Sequence, residues 1–505
     1  MTCNAYSSSA SAAFIELAAI GQADTLLTCD PKMSYFTQTY ARTTNFAMGE
    51  QTIAFDTQPP TGQNWRGATL TAEISRKNFD LLGPVYFDAC LSGLPGQITV
   101  GPTVYTRLWT PAVGFALIKE STVDIGNTHF ETLHSEYMVA HDEISRPEGL
   151  RASKLVGDYG GAYLRSGFIA DAVGAIVSDC DTLAKGMEYS TRTQKILTPL
   201  PHFWTKHVGN YLNIVGLSHQ NVKLRLTTRS FDELQLQLGS DTTNGSIEVN
   251  TVDQRAFASD QGKLLGATLL ATYIVLSTEE RRLKAQCTQT IRYVYVQKSS
   301  KTYKTKSTDA GNPVRLTNMF KNPITRMLWM WRSSEALANN EYFRFGGYRA
   351  VPVQLTGSIY APQEVLSVFS QIEVKVNQNT RVCEPSEYFL YAQPYAHAER
   401  VPDRIVESYS FALHPDDDSC YSGSINLSRV ENFEIDLLVK DRVVTGGAVA
   451  AADYLSEANK IGGKSPSLTA ADTVASDLTG EILLYAETIN FYKQSAGMIG
   501  QLFPQ

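Results

Sequence analysis

Hydrophobic and polar residues alternate between residues 433 and 440, toward the end of the chain, with Leu438 as the exception. The apolar positions are Phe433, Ile435, Leu437 and Val439, and the polar positions between and after them are Glu434, Asp436 and Lys440. Successive side chains of a β-strand point to opposite faces of its sheet. The pattern therefore predicts a strand that buries its apolar residues in a core and directs its polar residues to water.

A segment with a similar pattern lies just upstream, at residues 409–413. Tyr409, Phe411 and Leu413 share one face of this predicted strand, because they are spaced by two positions. His414-Pro415 ends it, and the polar residues that follow are typical of a turn. The two segments together predict a pair of strands separated by a polar turn.

The first half of the chain shows short apolar or alternating segments separated by turn residues. The predicted strands cover 51–55, 68–74, 84–91, 114–125, 222–226 and 269–276. No helical period of useful length separates the first four, and strands without intervening helices pair antiparallel, which favours a sandwich or barrel. Residues 135–200 are less regular and are predicted to form a functional loop or a small inserted element.

The second half repeats this order of segments, opening with a strand at 291–296. The corresponding pairs are 327–331 with 114–118, 409–439 with 199–227, the loop 445–479 with 227–261, and 482–491 with 269–276. Residue identity between the halves is low, so the repeat is one of pattern. It predicts a two-domain, all-β protein of jelly-roll type, one of the ways in which antiparallel sheets limit their exposed edges.

The predicted domain organisation has three parts. They are an N-terminal arm at 1–30, a first jelly roll at 31–284 and a second jelly roll at 285–505. We expect a short, ordered connection near Arg282–Cys287, because the two barrels should not swing against each other.

The arm has a short helical pattern that includes Phe14, Leu17 and Ala18 and ends before Pro31. An isolated helix of this length is marginal in water. The sequence therefore predicts that the helix docks, either on its own domain or on a neighbouring molecule.

Composition indicates a soluble globular protein. Hydrophobic residues make up 43% and charged residues 19% of the 505-residue chain. The net charge of -7 leaves no excess of positive charge to pair with the phosphates of nucleic acid, so direct nucleic-acid binding is not expected. The seven cysteines are scattered, with no CxxC pair, which favours a reducing compartment. We find no secretory signal, and the longest apolar run, Gly266–Leu276, is too short to span a bilayer.

Signatures of catalysis are absent from the sequence: there is no GxSxG, HExxH or GxGxxG motif in the required context. Gly462–Ser465 resembles the end of a phosphate-binding loop, but Ala458 stands where the first glycine would be needed. We interpret it as a flexible loop. The sequence therefore predicts a protein that is not an enzyme and has no catalytic, cofactor-binding or metal-binding residues.

Two clusters of histidine or acidic residues are candidate metal sites. One contains His129, His134, His141, Asp142 and Glu143. The spacings of five and seven between its histidines do not place two ligands on one helix face, and a solvated loop edge is the favoured interpretation.

The second cluster, Asp416–Asp418, lacks the alternating oxygen ligands of a calcium loop. We interpret it as a solvated turn.

The one basic cluster has two interpretations. Lys298, Lys301, Lys304 and Lys306 could contact anionic lipid headgroups or phosphate, or they could form a charged strand edge that discourages aggregation. The charged edge is favoured, because edge lysines are a common protective device. Sequons occur at Asn244 and Asn426, but without a secretory signal no ordinary glycosylation is expected.

Several separate motifs lie along the chain. The strongest, near the C-terminus, comprises Tyr409-Ser410-Phe411-Ala412-Leu413, Pro415, Ser422-Gly423, Asn426, Ser428-Arg429 and Asn432. The others are Leu17–Phe46, Pro199–Trp204, Val222–Leu226, Glu279–Arg282 and Asn490–Phe503. In their order along the chain they resemble the motifs of the major capsid proteins of large double-stranded DNA viruses, with Tyr421 and Glu431 replacing that family's usual Pro and Asp. The resemblance covers most of the chain, with gaps at the loops.

This resemblance implies a double jelly roll: two consecutive eight-stranded antiparallel barrels with long loop insertions and a short N-terminal helical arm. It also implies a structural protein of the virion that assembles as a pseudo-hexameric homotrimer into an icosahedral shell. The expected partners are further copies of the chain, minor capsid proteins and an internal viral membrane, with assembly in the host cytoplasm and no cofactor. The alternative is a carbohydrate-binding or carbohydrate-cleaving β-sandwich, a lectin or glycosidase, because jelly rolls host both.

Overall fold

The structure, a computed structural model, describes most of the chain from residue 42 onward. The described residues are 42–57, 65–74, 79–94, 97–100, 103–146, 152–158, 188–241, 262–305, 313–349, 365–397, 399–440 and 478–503, with short pieces within 13–36, 59–63, 169–177, 247–249, 354–360 and 461–462. The chain falls into two compact units, 1–45 and 46–505. In the first, residues 13–15 and 17–18 are helical, and Phe14 and Leu17 are each 71% exposed. The helix predicted from their spacing is present.

The first half of the larger unit is a jelly roll of eight strands. They are β1 (Phe46–Ile53), β2 (Thr69–Ile74), β3 (Leu81–Leu91), β4 (Ile118–Ile125), β5 (Thr128–His134), β6 (Gln194–Pro199), β7 (Val222–Thr228) and β8 (Lys263–Leu276). Two antiparallel sheets face each other: β1-β8-β3-β6, which we name the first long sheet, and β2-β7-β4-β5. The alternation of apolar and charged residues along β7 decides which side chains face the core: Val222, Leu224 and Leu226 are buried while Lys223 and Arg225 are exposed.

The second half of this unit has eight further strands in the same arrangement. They are β9 (Gln289–Thr305), β10 (Pro313–Thr317), β11 (Pro323–Ser333), β12 (Phe369–Val376), β13 (Asn379–Pro385), β14 (Glu407–Ser410), β15 (Phe433–Val439) and β16 (Leu478–Ser495). The second long sheet is β9-β16-β11-β14, and the facing sheet is β10-β15-β12-β13. Each strand occupies the position of its counterpart in the first half. The predicted all-β fold of two consecutive eight-stranded jelly rolls is confirmed.

Shorter elements decorate the two barrels. The helices are α1 (Val113–Leu117), α2 (Ser135–Ser145), α3 (Ser153–Val156), α4 (Thr278–Gln286), α5 (Ser334–Ala338) and α6 (Gln393–Ala396), the last preceded by a wide helical turn at Tyr388–Ala392. A separate four-stranded sheet contains Gln97–Val100, Thr103–Trp109, Gln235–Asp241 and Ile247–Val249. Two-residue strands pair at Gly62–Gln63, Ile169–Ala170, Ile176–Val177, Leu212–Asn213, Gln354–Leu355, Ile359–Tyr360, Val365–Leu366, Ile425–Asn426 and Ile461–Gly462, and longer ones at Gly347–Arg349 and Met498–Gln501.

Helix α4 connects the two barrels. It begins two residues after β8 and ends at Gln286, and β9 starts at Gln289. The connection expected near Arg282–Cys287 is therefore a helix followed by two residues, Cys287 and Thr288. The divisions drawn at 30/31 and 284/285 stay predictions.

Strand β15 lies as its sequence pattern predicts. Phe433, Ile435, Leu437 and Val439 belong to the hydrophobic core of the second barrel. Asp436 lies among the predicted water-facing positions, but it is only 7% exposed. The Nε of Arg315 donates to its Oδ1 at 2.8 Å and the Nζ of Lys375 to its Oδ2 at 2.9 Å. The prediction that Asp436 faces water was wrong, because two cations on neighbouring strands cover it.

Three other local predictions were wrong. Strand β14 ends at Ser410, and Leu413 beyond it is 68% exposed. Residues 113–117 form helix α1, so the counterpart of 327–331 lies in β3 rather than at 114–118. Helix α2 lies in the region predicted to be irregular. All its residues except Ser145 are buried, and a helix buried on every side leaves no amphipathic period in the sequence.

The register of β15 makes a direct prediction about stability. Ile435→Asp places an uncompensated carboxylate in the core of the second barrel, and we expect a loss of several kcal/mol in the free energy of unfolding. The matched change Leu438→Asp lies on the half-buried outer face and should cost about 1 kcal/mol or less. Chemical denaturation of both variants measures the difference. Equal losses would show that the strand does not have this register.

Candidate functional site

Strands β11 and β16 of the second barrel are buried on both faces. Met327, Trp329 and Trp331 of β11 lie in the core of the second barrel. Leu328 and Met330, between them, pack instead with the hydrophobic core of the first barrel. Strand β16 alternates in the same way. The outer face of the second long sheet is therefore an internal interface with the first barrel.

A buried arginine holds the centre of this interface. Arg326 on β11 is 1% exposed, and its Nε and Nη2 donate to the two carboxylate oxygens of Glu487 on β16, at 3.1 and 3.0 Å. Its Nη1 donates to Glu399 at 2.8 Å. Across the interface, its Nη2 donates to the Oγ of Ser145 at the end of α2, at 3.0 Å. One guanidinium thus joins both barrels.

Glu487 also receives donors from the first barrel. The hydroxyl of Tyr137 on α2 donates to its Oε1 at 2.5 Å, and the Nζ of Lys206 lies 3.5 Å from the same oxygen. Burial raises the pKa of Glu487, but Arg326 and Lys206 outweigh that effect and hold the pKa below its ordinary value. The carboxylate is therefore charged at neutral pH and is fully paired.

A second ion pair lies farther along the same sheet. Arg332 on β11 donates to Glu136 at the start of α2 at 2.8 Å and also pairs with Glu481 on β16. Burial raises the pKa of Glu136, and the guanidinium groups of Arg332 and Arg229 lower it to about 2. Glu136 is therefore ionised throughout the neutral range.

A third contact forms at the other end of α2. Glu143 pairs with Arg404 and lies 3.6 Å from the guanidinium of Arg400. The backbone N–H of Asp403 donates to its Oε2 at 3.1 Å. Helix α2 therefore contributes a carboxylate near each end, and the second barrel supplies basic partners for both.

Aromatic packing extends the interface. Phe130 and Phe203 of the first barrel contact Tyr293 and Tyr492 of the second, with ring centroids 5.0 to 6.3 Å apart. Such pairs add to the stabilisation from apolar burial. The arrangement of rings and ion pairs holds two barrels in one fixed orientation.

The histidine cluster of the sequence is dispersed. His129 lies 3.2 Å from Asp124, and His134 lies 3.8 Å from Glu120. His141, Asp142 and Glu143 are buried on α2, so the solvated loop edge was the wrong interpretation for them. Within the described residues, no group of three or more His, Cys, Asp or Glu side chains could hold a metal ion. That the protein binds no metal stays a prediction.

The turn at Asp416–Asp418 is only partly solvated. Asp416 pairs with the buried Arg326 at 3.0 Å. The carbonyl of Asp418 accepts from Arg292, and burial raises the pKa of the Asp418 carboxyl. Only Asp417 acts as a turn residue, accepting from the backbone of Ser419 at 2.9 Å. The sequence interpretation missed that this turn reaches the interface.

The basic cluster lies on β9, which has a neighbour on one side only within its sheet. Lys298, Lys301 and Lys304 are exposed, as a charged edge requires. Lys306 lies outside the described residues, as do Asn244 and residues 463–465. Asn426 accepts from the backbone of Ser428 at 3.1 Å. Among the helices that the structure describes, none is long and apolar enough to cross a membrane.

Comparison with known protein families decides what this architecture belongs to. Residues 34–277 match the family described as the major capsid protein N-terminus, and residues 280–500 match the large eukaryotic DNA virus major capsid protein. The chain belongs to the major capsid protein family of large eukaryotic DNA viruses. The two matched regions meet at helix α4.

Individual members of the capsid protein family align over nearly the whole chain. The major capsid protein of Paramecium bursaria Chlorella virus 1 is 25% identical and covers 96% of this chain and 98% of its own length. That of Phaeocystis pouchetii virus is 23% identical and covers 86% of this chain and 94% of its own.

Solved structures of capsid proteins share the fold. A chain of the PBCV-1 virus capsid quasi-atomic model superposes with a TM-score of 0.67 at 19% identity, covering 94% of this chain and 100% of that chain. The Faustovirus major capsid protein superposes at 0.59 and 11% identity, covering 94% of both chains. These likenesses support the double jelly roll.

The residues that join the barrels of this capsid protein carried only a weak sequence signal. Arg326 and Arg332 lie within the apolar run of β11, which indicates charges that are buried rather than solvated. A second signal is a short repeat: Ser135-Glu136-Tyr137 follows β5, and Ser386-Glu387-Tyr388 follows the equivalent strand β13. The repeat indicates that a helical segment follows the equivalent strand in both barrels.

A buried carboxyl lies where this second copy of the repeat begins. Glu407 on β14 is 1% exposed and accepts hydrogen bonds from the hydroxyls of Ser367, at 2.5 Å, and Ser386. Burial raises its pKa to about 7, and the two hydroxyls and Lys440 offset only part of that rise. Glu407 therefore ties the helical segment after β13 to β14.

We expect Arg326→Leu to lower the free energy of unfolding by about 3–5 kcal/mol, because it removes the guanidinium that pairs with the buried Glu487 and Glu399 and leaves Glu487 with the more distant Lys206. Arg192→Leu is the matched control, since Arg192 is 70% exposed and its ion-pair partner among the described residues, Glu188, is exposed too; it should change stability by less than about 0.5 kcal/mol. Thermal and denaturant unfolding compare the two. Losses of similar size would contradict the central role given to Arg326.

Glu407 predicts a pH dependence of stability. Its folded pKa of about 7 exceeds the ordinary value of 4.5, so its stabilising contribution is complete below pH 4.5 and is lost as the pH rises to 7. Glu399, whose pKa burial also raises to about 7, acts in the same direction. At one pKa unit per about 1.4 kcal/mol, Glu407 accounts for at most about 3.5 kcal/mol. Glu407→Gln should flatten the fall in unfolding free energy between pH 5 and 8; an unchanged slope would contradict the assignment.

Proposed function

We propose that this chain is the shell-forming subunit of an icosahedral DNA virus and that it assembles as a homotrimer of six barrels with a pseudo-hexagonal outline. The observation that carries the proposal is that the two capsid-family matches cover both jelly rolls. Three chains with two barrels each make six-fold pseudo-symmetry available. The interface between the barrels gives each subunit the fixed shape that a shell requires.

The proposal extends to organisation, location and partners. The arm 1–30 and the jelly rolls 31–284 and 285–505 act as separate parts of one structural subunit. The protein lies in the capsid shell, is assembled in the host cytoplasm and contacts neighbouring capsomers, minor capsid proteins and the internal membrane. Its role is assembly and not catalysis, and it requires neither a cofactor nor direct contact with nucleic acid.

The carbohydrate-active alternative finds less support. Family membership favours a capsid protein over a lectin or glycosidase. The carboxylates that the structure brings together at Arg326 are bonded to that arginine within the interface. A glycosidase would need two carboxylates across an open cleft.

Sedimentation equilibrium of the purified chain tests the proposal. We expect a mass of three times 55.7 kDa at micromolar concentration, because three chains of two barrels each make the proposed six-barrel assembly. Binding to a panel of oligosaccharides serves as the counter-test. A monomer at every concentration, with specific saccharide binding, would favour the carbohydrate-active alternative.

A further inference from the structure

The two long sheets differ in what covers them. Strands β3 and β11 each have eleven residues and occupy the same place in their barrels. Aligning them end to end matches Val85, Phe87 and Ala89 in one core with Met327, Trp329 and Trp331 in the other. The outward residues then correspond as Pro84 with Arg326, Tyr86 with Leu328, Asp88 with Met330 and Cys90 with Arg332.

The same correspondence holds for the neighbouring strand. Tyr86 pairs with Leu270 on β8, and Leu328 pairs with Tyr485 on β16. Leu270 therefore matches Tyr485, and Thr272 matches Glu487. The matching outward residues on β11, together with Tyr485 and Glu487 on β16, are buried where the first barrel covers them. Their counterparts on the first long sheet are all only half-buried.

The covering helix also has a counterpart. Helix α2 follows β5 directly, and the helical segment 386–396 follows β13 directly, with the shared Ser-Glu-Tyr at the start of each. The residues of α2 are buried through Ile144. On segment 386–396 the positions that match Glu136, Ala140, His141, Ile144 and Ser145 are exposed: Glu387, Tyr391, Ala392, Tyr395 and Ala396. They are spaced so as to form one helix face.

We propose that this exposed face of segment 386–396 docks on the first long sheet of a second copy of the chain, repeating between copies the contact that α2 makes within one copy. The proposal rests on the proposed trimer and names its contact surface. Glu136 meets Arg332 and Ser145 meets Arg326 within the chain. The equivalent contacts place Glu387 near Cys90 and Ala396 near Pro84 of the second copy.

A cavity lies beside Pro84 of the first long sheet, where the proposed docking places the C-terminal end of segment 386–396. It has a volume of about 260 Å³ and is lined in part by Pro84, Tyr86, Met138, His141 and Tyr211. The side chain of Tyr395, 82% exposed in one copy, lies next to Ala396 and has the size and character to fill this cavity. His141 is 8% exposed and hydrogen-bonds to none of the described residues, so it can pair with the phenol of Tyr395.

The chemistry of the two contacts differs in a way that suits their roles. The contact within the chain uses charged residues, which remain buried from folding onward. On the first long sheet, the positions that match Arg326, Arg332 and Glu487 carry the uncharged residues Pro84, Cys90 and Thr272. Asp88 and, on the docking face, Glu387 are charged, and each lies near a lysine of its own chain. A surface that is in water before assembly loses less on docking when it carries fewer charges to desolvate. The uncharged residues at these positions support the proposal that the exposed face of segment 386–396 docks on a second copy.

Crosslinking tests the proposed contact directly. In a chain with every cysteine except Cys90 replaced by serine, Glu387→Cys should allow a short bismaleimide to join copies into covalent dimers and trimers. Replacing Cys90 by serine as well should abolish the product. Glu431→Cys, an exposed position elsewhere on the second barrel, is the control and should give no Cys90-dependent product.

Substitution of Tyr395 tests the cavity. Tyr395→Ala should raise the dissociation constant of the oligomer about tenfold or more, as loss of a central aromatic anchor does. Tyr421→Ala, also an exposed tyrosine at 62%, should leave it unchanged. A stable trimer with neither the crosslink nor the Tyr395 effect would overturn this contact while leaving the proposed function intact. A chain that stays monomeric would overturn both.

Discussion

The structure depends on the burial of strands β11 and β16 on both faces. Each strand supplies alternate residues to the core of the second barrel and to the contact with the first. A sheet that is buried on both faces normally consists of continuous apolar residues. Here the charged residues Arg326 and Glu487 interrupt the apolar face. Removing either one would leave the other's charge buried without this partner, which is strongly destabilising. Their pairing, completed by Tyr137, Lys206 and Ser145, requires the first barrel to lie in one position.

The energetic value of this ionic contact lies in specificity more than in stability. A buried ion pair gains little over well-packed apolar residues, because its desolvation cost is large. An apolar face between two barrels could slide, whereas a guanidinium bonded both to Glu487 on β16 and to Ser145 on the first barrel cannot. For a subunit whose two barrels must present a constant outline in a shell, a fixed orientation is the more useful property. The cost of burial is visible at Glu399, because burial raises the pKa of this carboxyl to about 7 despite its contact with Arg326.

The sequence predicted those parts of the fold that follow from local alternation. The strands at 84–91 and 433–439 and the repeated order of the two halves were evident, because one face of each strand meets a core. Helix α2 was not, since burial on all sides removes its amphipathic period. The interface was also hidden. Arg326 and Glu487 are 161 positions apart and become neighbours only because β16 pairs with β11. The burial of Asp436 was missed for the same reason, as its two cations come from other strands.

The sheet order also constrains how the molecule can form. Strand β8 lies between β1 and β3, so the first long sheet is complete once residue 276 is available. The first barrel can then fold as a unit, but Glu136 and Glu143 on α2 still lack the arginines of the second barrel. Strand β16 lies between β9 and β11, so the second long sheet is not complete until residues 478–495 join it. Glu487 lies on that strand. The last strand of the second barrel therefore completes its core and supplies the central carboxylate of the contact between the barrels.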